Sequence, residues 1–98
     1  MSQVELVEQG EGQFQLKGQL NRDTVVSLPA SPEAFWQQDS VSIDLGALEH
    51  TDTAGLAWLL ALVAESREQK TELTYQSVPE LLLKLAKISD VDRLLPLQ

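Results

Sequence analysis

Ile43-Asp44-Leu45-Gly46-Ala47-Leu48-Glu49-His50-Thr51-Asp52-Thr53-Ala54-Gly55-Leu56 is the stretch on which the fold turns. Its first part belongs to Val41-Ser42-Ile43-Asp44-Leu45, with apolar side chains at the odd positions, the period-two pattern of a strand buried on one face. Gly46 to Thr51 reads as a loop. Asp52 or Thr53 then offers a side-chain oxygen to the free N–H groups of a helical first turn. The segment from Leu56 to about Gln69 carries the strongest helical pattern in the chain.

Toward the N-terminus, Val4 and Leu6, then Phe14 and Leu16, alternate with polar residues around Gly10-Glu11-Gly12, which predicts a β-hairpin. Gly18-Gln19-Leu20-Asn21 closes the second strand, and Asn21 stands where it can cap a short helix through Thr24, Val25 and Leu28, stopped by Pro29. The segment Leu28 to Gln38 has two prolines but is too short to separate domains. Toward the C-terminus, Leu73 and Tyr75 alternate with Thr74 and Gln76 as a further strand. Pro79 opens a helix through Ile88, with Glu80, Lys84 and Lys87 on one polar stripe. Ser89-Asp90-Val91-Asp92 has the spacing of a capping box for a last turn through Leu95, ended by Pro96. The order ββαβαβαα predicts one α/β domain over residues 1–98, a four-stranded mixed sheet with helices mainly on one face.

Composition narrows the chemistry. The 98 residues are 43% hydrophobic and 22% charged, the balance of a folded domain. Cysteine is absent and His50 is the only histidine, which argues against thiolate chemistry and against a metal centre. Seven basic residues stand against fifteen acidic ones, a net charge of −8, so no basic stripe is available for nucleic acid. The acidity is concentrated: two basic residues face nine acidic ones up to Thr53, and five face six beyond it. Such an imbalance serves solubility or docking to a basic partner. The start of the chain lacks the pattern of a signal peptide, and the longest apolar run, Leu56 to Ala64, falls short of the ~20 residues that span a bilayer. A cytoplasmic protein is expected.

Glycines 10, 12, 18, 46 and 55 form neither a phosphate-binding loop nor a dinucleotide fingerprint. Asp44 and Asp52 have no basic residue or metal ligand in a suitable pattern around them, and His50 reads as a solvated loop residue. The expectation is therefore no enzyme, no cofactor and no metal. The helix after Asp52 is more informative. Counting from Leu56, Leu59, Leu60 and Val63 share the side expected to meet the sheet. Ala54, Ala57, Trp58, Ala61 and Leu62 fall opposite, with Glu65 beyond them. An outward side apolar over two turns predicts an exposed patch for a partner protein, Trp58 its bulkiest member and Thr53 at its N-terminal end. Thr53 itself reads either as a helix cap or as a contact hydroxyl and candidate phosphoacceptor at a helix N-terminus.

Ile43-Asp44-Leu45 with Asp52-Thr53-Ala54-Gly55-Leu56, preceded by Gly18-Gln19-Leu20-Asn21-Arg22-Asp23-Thr24, resembles the STAS domain over essentially the whole chain. That fold is shared by anti-sigma-factor antagonists, the tails of sulfate-type anion transporters and a subunit of phospholipid-transport ABC complexes. In the antagonists the phosphorylated hydroxyl follows the Asp of an Asp-Ser-[Ser/Thr]-Gly loop, and the matching position is Thr53. Here Thr replaces that Ser, and Ala54 replaces the next hydroxyl residue. The run Asp52 to Leu60, Leu85-Ala86-Lys87-Ile88 and Leu94-Leu95-Pro96 resemble the MlaB-type members, the STAS subunits of the Mla complexes. This resemblance implies a non-catalytic subunit that binds the transporter's cytoplasmic ATPase (MlaF-like) and, through it, an inner-membrane permease, in a system that maintains outer-membrane lipid asymmetry. The alternative it implies is an antagonist switched by phosphorylation at Thr53, with an anti-sigma factor as partner.

Overall fold

A computed structural model describes residues 3–29 and 32–97. Strands β1 (Val4–Gly10) and β2 (Gln13–Leu20) form the expected hairpin, pairing antiparallel. Its turn needs Gly12, which sits at φ +73 with the Ser40 carbonyl oxygen 2.6 Å from where a Cβ would stand. Strand β3 (Ser40–Asp44) runs parallel to β2 over Gln13–Gln15. Strand β4 (Leu48–Thr51) continues along the same side of β2, pairing parallel with Gly18–Leu20. β5 (Glu72–Gln76) pairs parallel with β3. The sheet thus has five strands where four were expected, because half of the presumed Gly46–Thr51 loop pairs with the free end of β2.

Helix α1 (Thr53–Glu68) follows β4, and α2 (Glu80–Ile88) follows β5. The sheet is one-sided: Phe14, Leu16, Val41, Ile43, Leu73 and Tyr75 are buried under the helices, while Gln13, Lys17, Ser40 and Glu72 on the other face are exposed. The Tyr75 hydroxyl donates to the Leu59 carbonyl at 2.6 Å, tying the middle of α1 to β5, and burial pushes the phenol pKa well above the usual range.

Two expected elements differ. The short helix after Asn21 is a 3₁₀ turn of three residues, Val25–Ser27. The proline-rich segment holds another 3₁₀ turn, Glu33–Gln37, that drives Phe35 fully into the core, 4.5 Å from Phe14 between ring centres; Ala30 and Ser31 of that segment lie outside the described residues. The capping-box spacing at Ser89 makes no box. Ser89 is the C-cap of α2, Asp90 takes the left-handed conformation (φ 58), and the Val91 N–H returns to the Ala86 carbonyl at 2.9 Å. The turn Asp92–Leu94 then starts without a side-chain cap.

Candidate partner-docking site

The ends of β2 and β4 converge on the N-terminus of α1. Asp52 is the helix cap: one carboxylate oxygen accepts the Gly55 N–H at 3.0 Å, and the other accepts the Arg22 N–H at 3.1 Å. One side chain therefore joins the α1 cap to the loop after β2. Desolvation acts to raise the Asp52 pKa, but backbone N–H groups of Gly55, Arg22 and Ala54 outweigh it and hold the carboxyl below the ordinary carboxylate range. Gly55 makes the approach feasible. A Cβ there would collide with the Leu20 carbonyl oxygen and lie 2.8 Å from Thr51 Cγ2 and 2.9 Å from Leu20 Cγ.

The loop after β2 is internally braced. Asn21 Oδ1 accepts from the N–H groups of Asp23 (2.9 Å) and Thr24 (3.1 Å). Thr24 Oγ1 accepts from the Asn21 N–H at 2.9 Å and donates to the Gln19 carbonyl at 2.7 Å. Asn21 thus caps as expected, but it caps a turn rather than a helix.

Thr53 is the first residue of α1, exposed, and its hydroxyl bonds no described residue; Asp52 alone supplies the cap. Ala57 and Ala61 follow at four-residue spacing and are also exposed, with Ala54 and Glu65 half-buried beside them. Glu65 accepts a hydrogen bond from Gln69 Nε2 at 3.1 Å. Trp58 and Leu62, expected in the exposed patch, are buried, 8% and 0% exposed. Leu60, expected against the sheet, is only half-buried. The buried arc of α1 is centred on Gly55, Leu59, Leu62 and Ser66, one step round from the face counted from Leu56. Trp58 extends that arc because the Val25–Pro29 segment covers it, and its indole N–H donates to the Pro29 carbonyl at 3.2 Å. The surviving surface is a narrow face of small side chains with Thr53 at its head.

Asp44 and Asp52 form no acid–base pair: Asp44 Oδ1 accepts the Gly46 N–H at 2.8 Å in a local turn, and Asp52 is engaged as described. His50 lies exposed on β4. Among the described residues no three His, Cys, Asp or Glu side chains come together as a metal site, and no helix is long and apolar enough to cross a membrane. A cleft of about 570 Å³ is lined in part by Val4, Lys17, Asp23, Ser27 and Glu49, and among the described residues no nucleophile there hydrogen-bonds a base. Residue-type reasoning missed Arg22, whose contribution is its backbone N–H.

A one-sided mixed sheet whose helix N-terminus presents a capped, hydroxyl-bearing loop is the architecture of STAS domains. The fold is similar to that of the anti-sigma factor antagonist SpoIIAA in its unphosphorylated form, with a TM-score of 0.69 at 13% identity over 97% of this chain and 87% of that one. The chain belongs to the MlaB-type STAS domain family, whose model matches residues 5–96. No curated protein matches the sequence.

Proposed function

We propose that the chain is a non-catalytic cytoplasmic subunit that binds and supports the ATPase of a phospholipid-transport ABC complex. Through that ATPase it would sit beneath an inner-membrane permease and serve outer-membrane lipid asymmetry. Family membership supports the transporter setting. The observation that carries the docking reading is the exposed face Thr53-Ala57-Ala61. Side chains no larger than threonine over two turns let another element approach the α1 backbone closely, and charge is absent along its centre, as at the cores of protein interfaces.

The test is co-expression with the cognate transporter ATPase. Ala57→Arg and Ala61→Arg place a long charged side chain on that face and should abolish co-purification while the thermal melt stays at the wild-type temperature. A full yield of complex from both variants overturns the docking face.

The exposed Thr53 hydroxyl favours a second reading, an anti-sigma-factor antagonist switched by phosphate at Thr53. A helix N-terminus accommodates the added negative charge, and the same charge repels a partner that binds over it. Phosphate on Thr53 that appears with a kinase and vanishes in Thr53→Ala supports this reading, and a phosphate-independent complex opposes it.

A further inference from the structure

Among the described residues β1, β4 and β5 each pair with a strand on one side only, and the three edges are protected differently. β1 carries Glu5 and Glu8 and loses its register between Glu8 and Gly10, and β4 is only four residues long. Charge, irregularity and shortness each discourage an added strand. β5 has none of these: it pairs regularly with β3 over all five residues, and Glu72 at its start is its one charge. The Glu72 N–H bonds the Asp39 carbonyl and the Gln76 carbonyl accepts the Leu45 N–H, both on the β3 side. Strand alternation therefore turns the backbone groups of Leu73 and Tyr75 to the other side.

That side is occupied by Leu95-Pro96-Leu97. The Tyr75 N–H donates to the Pro96 carbonyl at 2.9 Å, Leu97 forms a parallel β-bridge to Tyr75, and the buried Leu95 side chain pins the segment. The segment accepts a hydrogen bond from β5 and offers no donor onward. The Leu95 N–H bonds the Asp92 carbonyl at 3.3 Å, Pro96 has no N–H, and the Leu97 N–H turns back to the Leu95 carbonyl at 2.9 Å.

We infer that Leu95–Leu97 is an edge guard, which keeps β5 from pairing with β5 of a second copy of this chain. The bare edge is self-complementary. About a two-fold axis at Thr74, antiparallel pairing sets Leu73 opposite the second copy's Tyr75, so the two outward-facing residues exchange hydrogen bonds reciprocally. Glu72 then faces Gln76 and Thr74 faces Thr74, with no like charges opposed.

The test is the apparent mass of the purified chain in sedimentation over a range of concentrations. The intact chain should stay monomeric. A chain ending at Leu95 keeps the buried anchor, loses the Pro96 carbonyl, and should rise toward twice the monomer mass as concentration increases. Pro96→Gly with Leu97→Gly in the full chain loosens the guard while leaving Leu95 in place, and should shift the mass the same way. This second variant decides by the same criterion if the shortened chain unfolds. Adding Thr74→Lys to either variant sets two ammonium groups opposite each other across the pairing and should restore the monomer. Folded variants that stay monomeric at every concentration overturn the guard, as does an intact chain that already dimerises. Dimers indifferent to Thr74→Lys use another surface, and they overturn it as well.

Discussion

The Trp58 indole N–H donates to the Pro29 carbonyl at 3.2 Å, which makes the bulkiest side chain on the outward-reading side of α1 the clasp of the loop after β2. A tryptophan so placed stabilises the fold before it meets any partner. Trp58→Ala should cost about 3 kcal/mol or more through lost packing and a cavity. Trp58→Phe keeps most of the ring contacts and should cost about 1 kcal/mol, the worth of the hydrogen bond. Urea unfolding checks both, and a Trp58→Ala midpoint equal to wild type would remove the clasp.

Gly55→Ala tests the approach of α1 to β2. Helix propensity alone would favour alanine by about 1 kcal/mol. The added Cβ meets the Leu20 backbone oxygen, which cannot rotate away, so the helix start must shift. Steric strain should win, with a net loss of about 1–3 kcal/mol. A melting temperature raised by the substitution would show that α1 has room to move.

Asp52 sets an acid-side dependence. Its folded-state pKa lies below the ordinary value of 3.8, so its stabilising contribution is complete above that value and fades as pH falls through the lower folded one. Asp52→Asn keeps an oxygen for the Gly55 N–H and loses the charge. Its stability should therefore change less than that of wild type between neutral pH and about pH 2. Denaturant melts along that range measure the difference, and parallel curves would exclude Asp52 as a source of acid sensitivity.

Thr53 separates stability from binding. Its hydroxyl caps nothing among the described residues, so Thr53→Ala should alter stability by less than about 0.5 kcal/mol, as for a surface position. Thr53→Glu adds an anion at a helix N-terminus and should be neutral or slightly stabilising, by about 0.3–1 kcal/mol. The same charge must be desolvated when a partner closes over it, which should weaken the complex. Thermal melts with co-purification yields check the pair, and full yields from both place Thr53 outside the interface.

Tyr75, the chain's only tyrosine, is hydrogen-bonded and fully buried. Its raised pKa means the neutral phenol is favoured by the fold, so its contribution is present below the ordinary pKa near 10 and lost as pH rises beyond it. Tyrosinate absorbance should appear only together with loss of helical signal. Ionisation in a still-helical protein would contradict the burial.

The repeating patterns were legible in the amino-acid order. Alternation at Phe14/Leu16, Val41/Ile43 and Leu73/Tyr75 gives the strands, and the Asp52 oxygen before an apolar run gives the start of α1, because each depends on neighbours a few residues away. Thr53, Ala57 and Ala61 were placed at the surface for the same reason, by position along one helix. The helix ends carried a weaker signal, since the left-handed residues that terminate them are Lys70 and Asp90 where glycine is usual. Only the tertiary structure decided which side chains stay in water. Trp58 and Leu62 are buried because the Val25–Pro29 segment and the sheet close over an arc wider than one helical stripe. His50 and Thr51 became a strand because β2 had an unpaired length beside them. Helical and strand periods report which side of an element is apolar, but what covers that side comes from residues distant in sequence, as Pro29 covers Trp58.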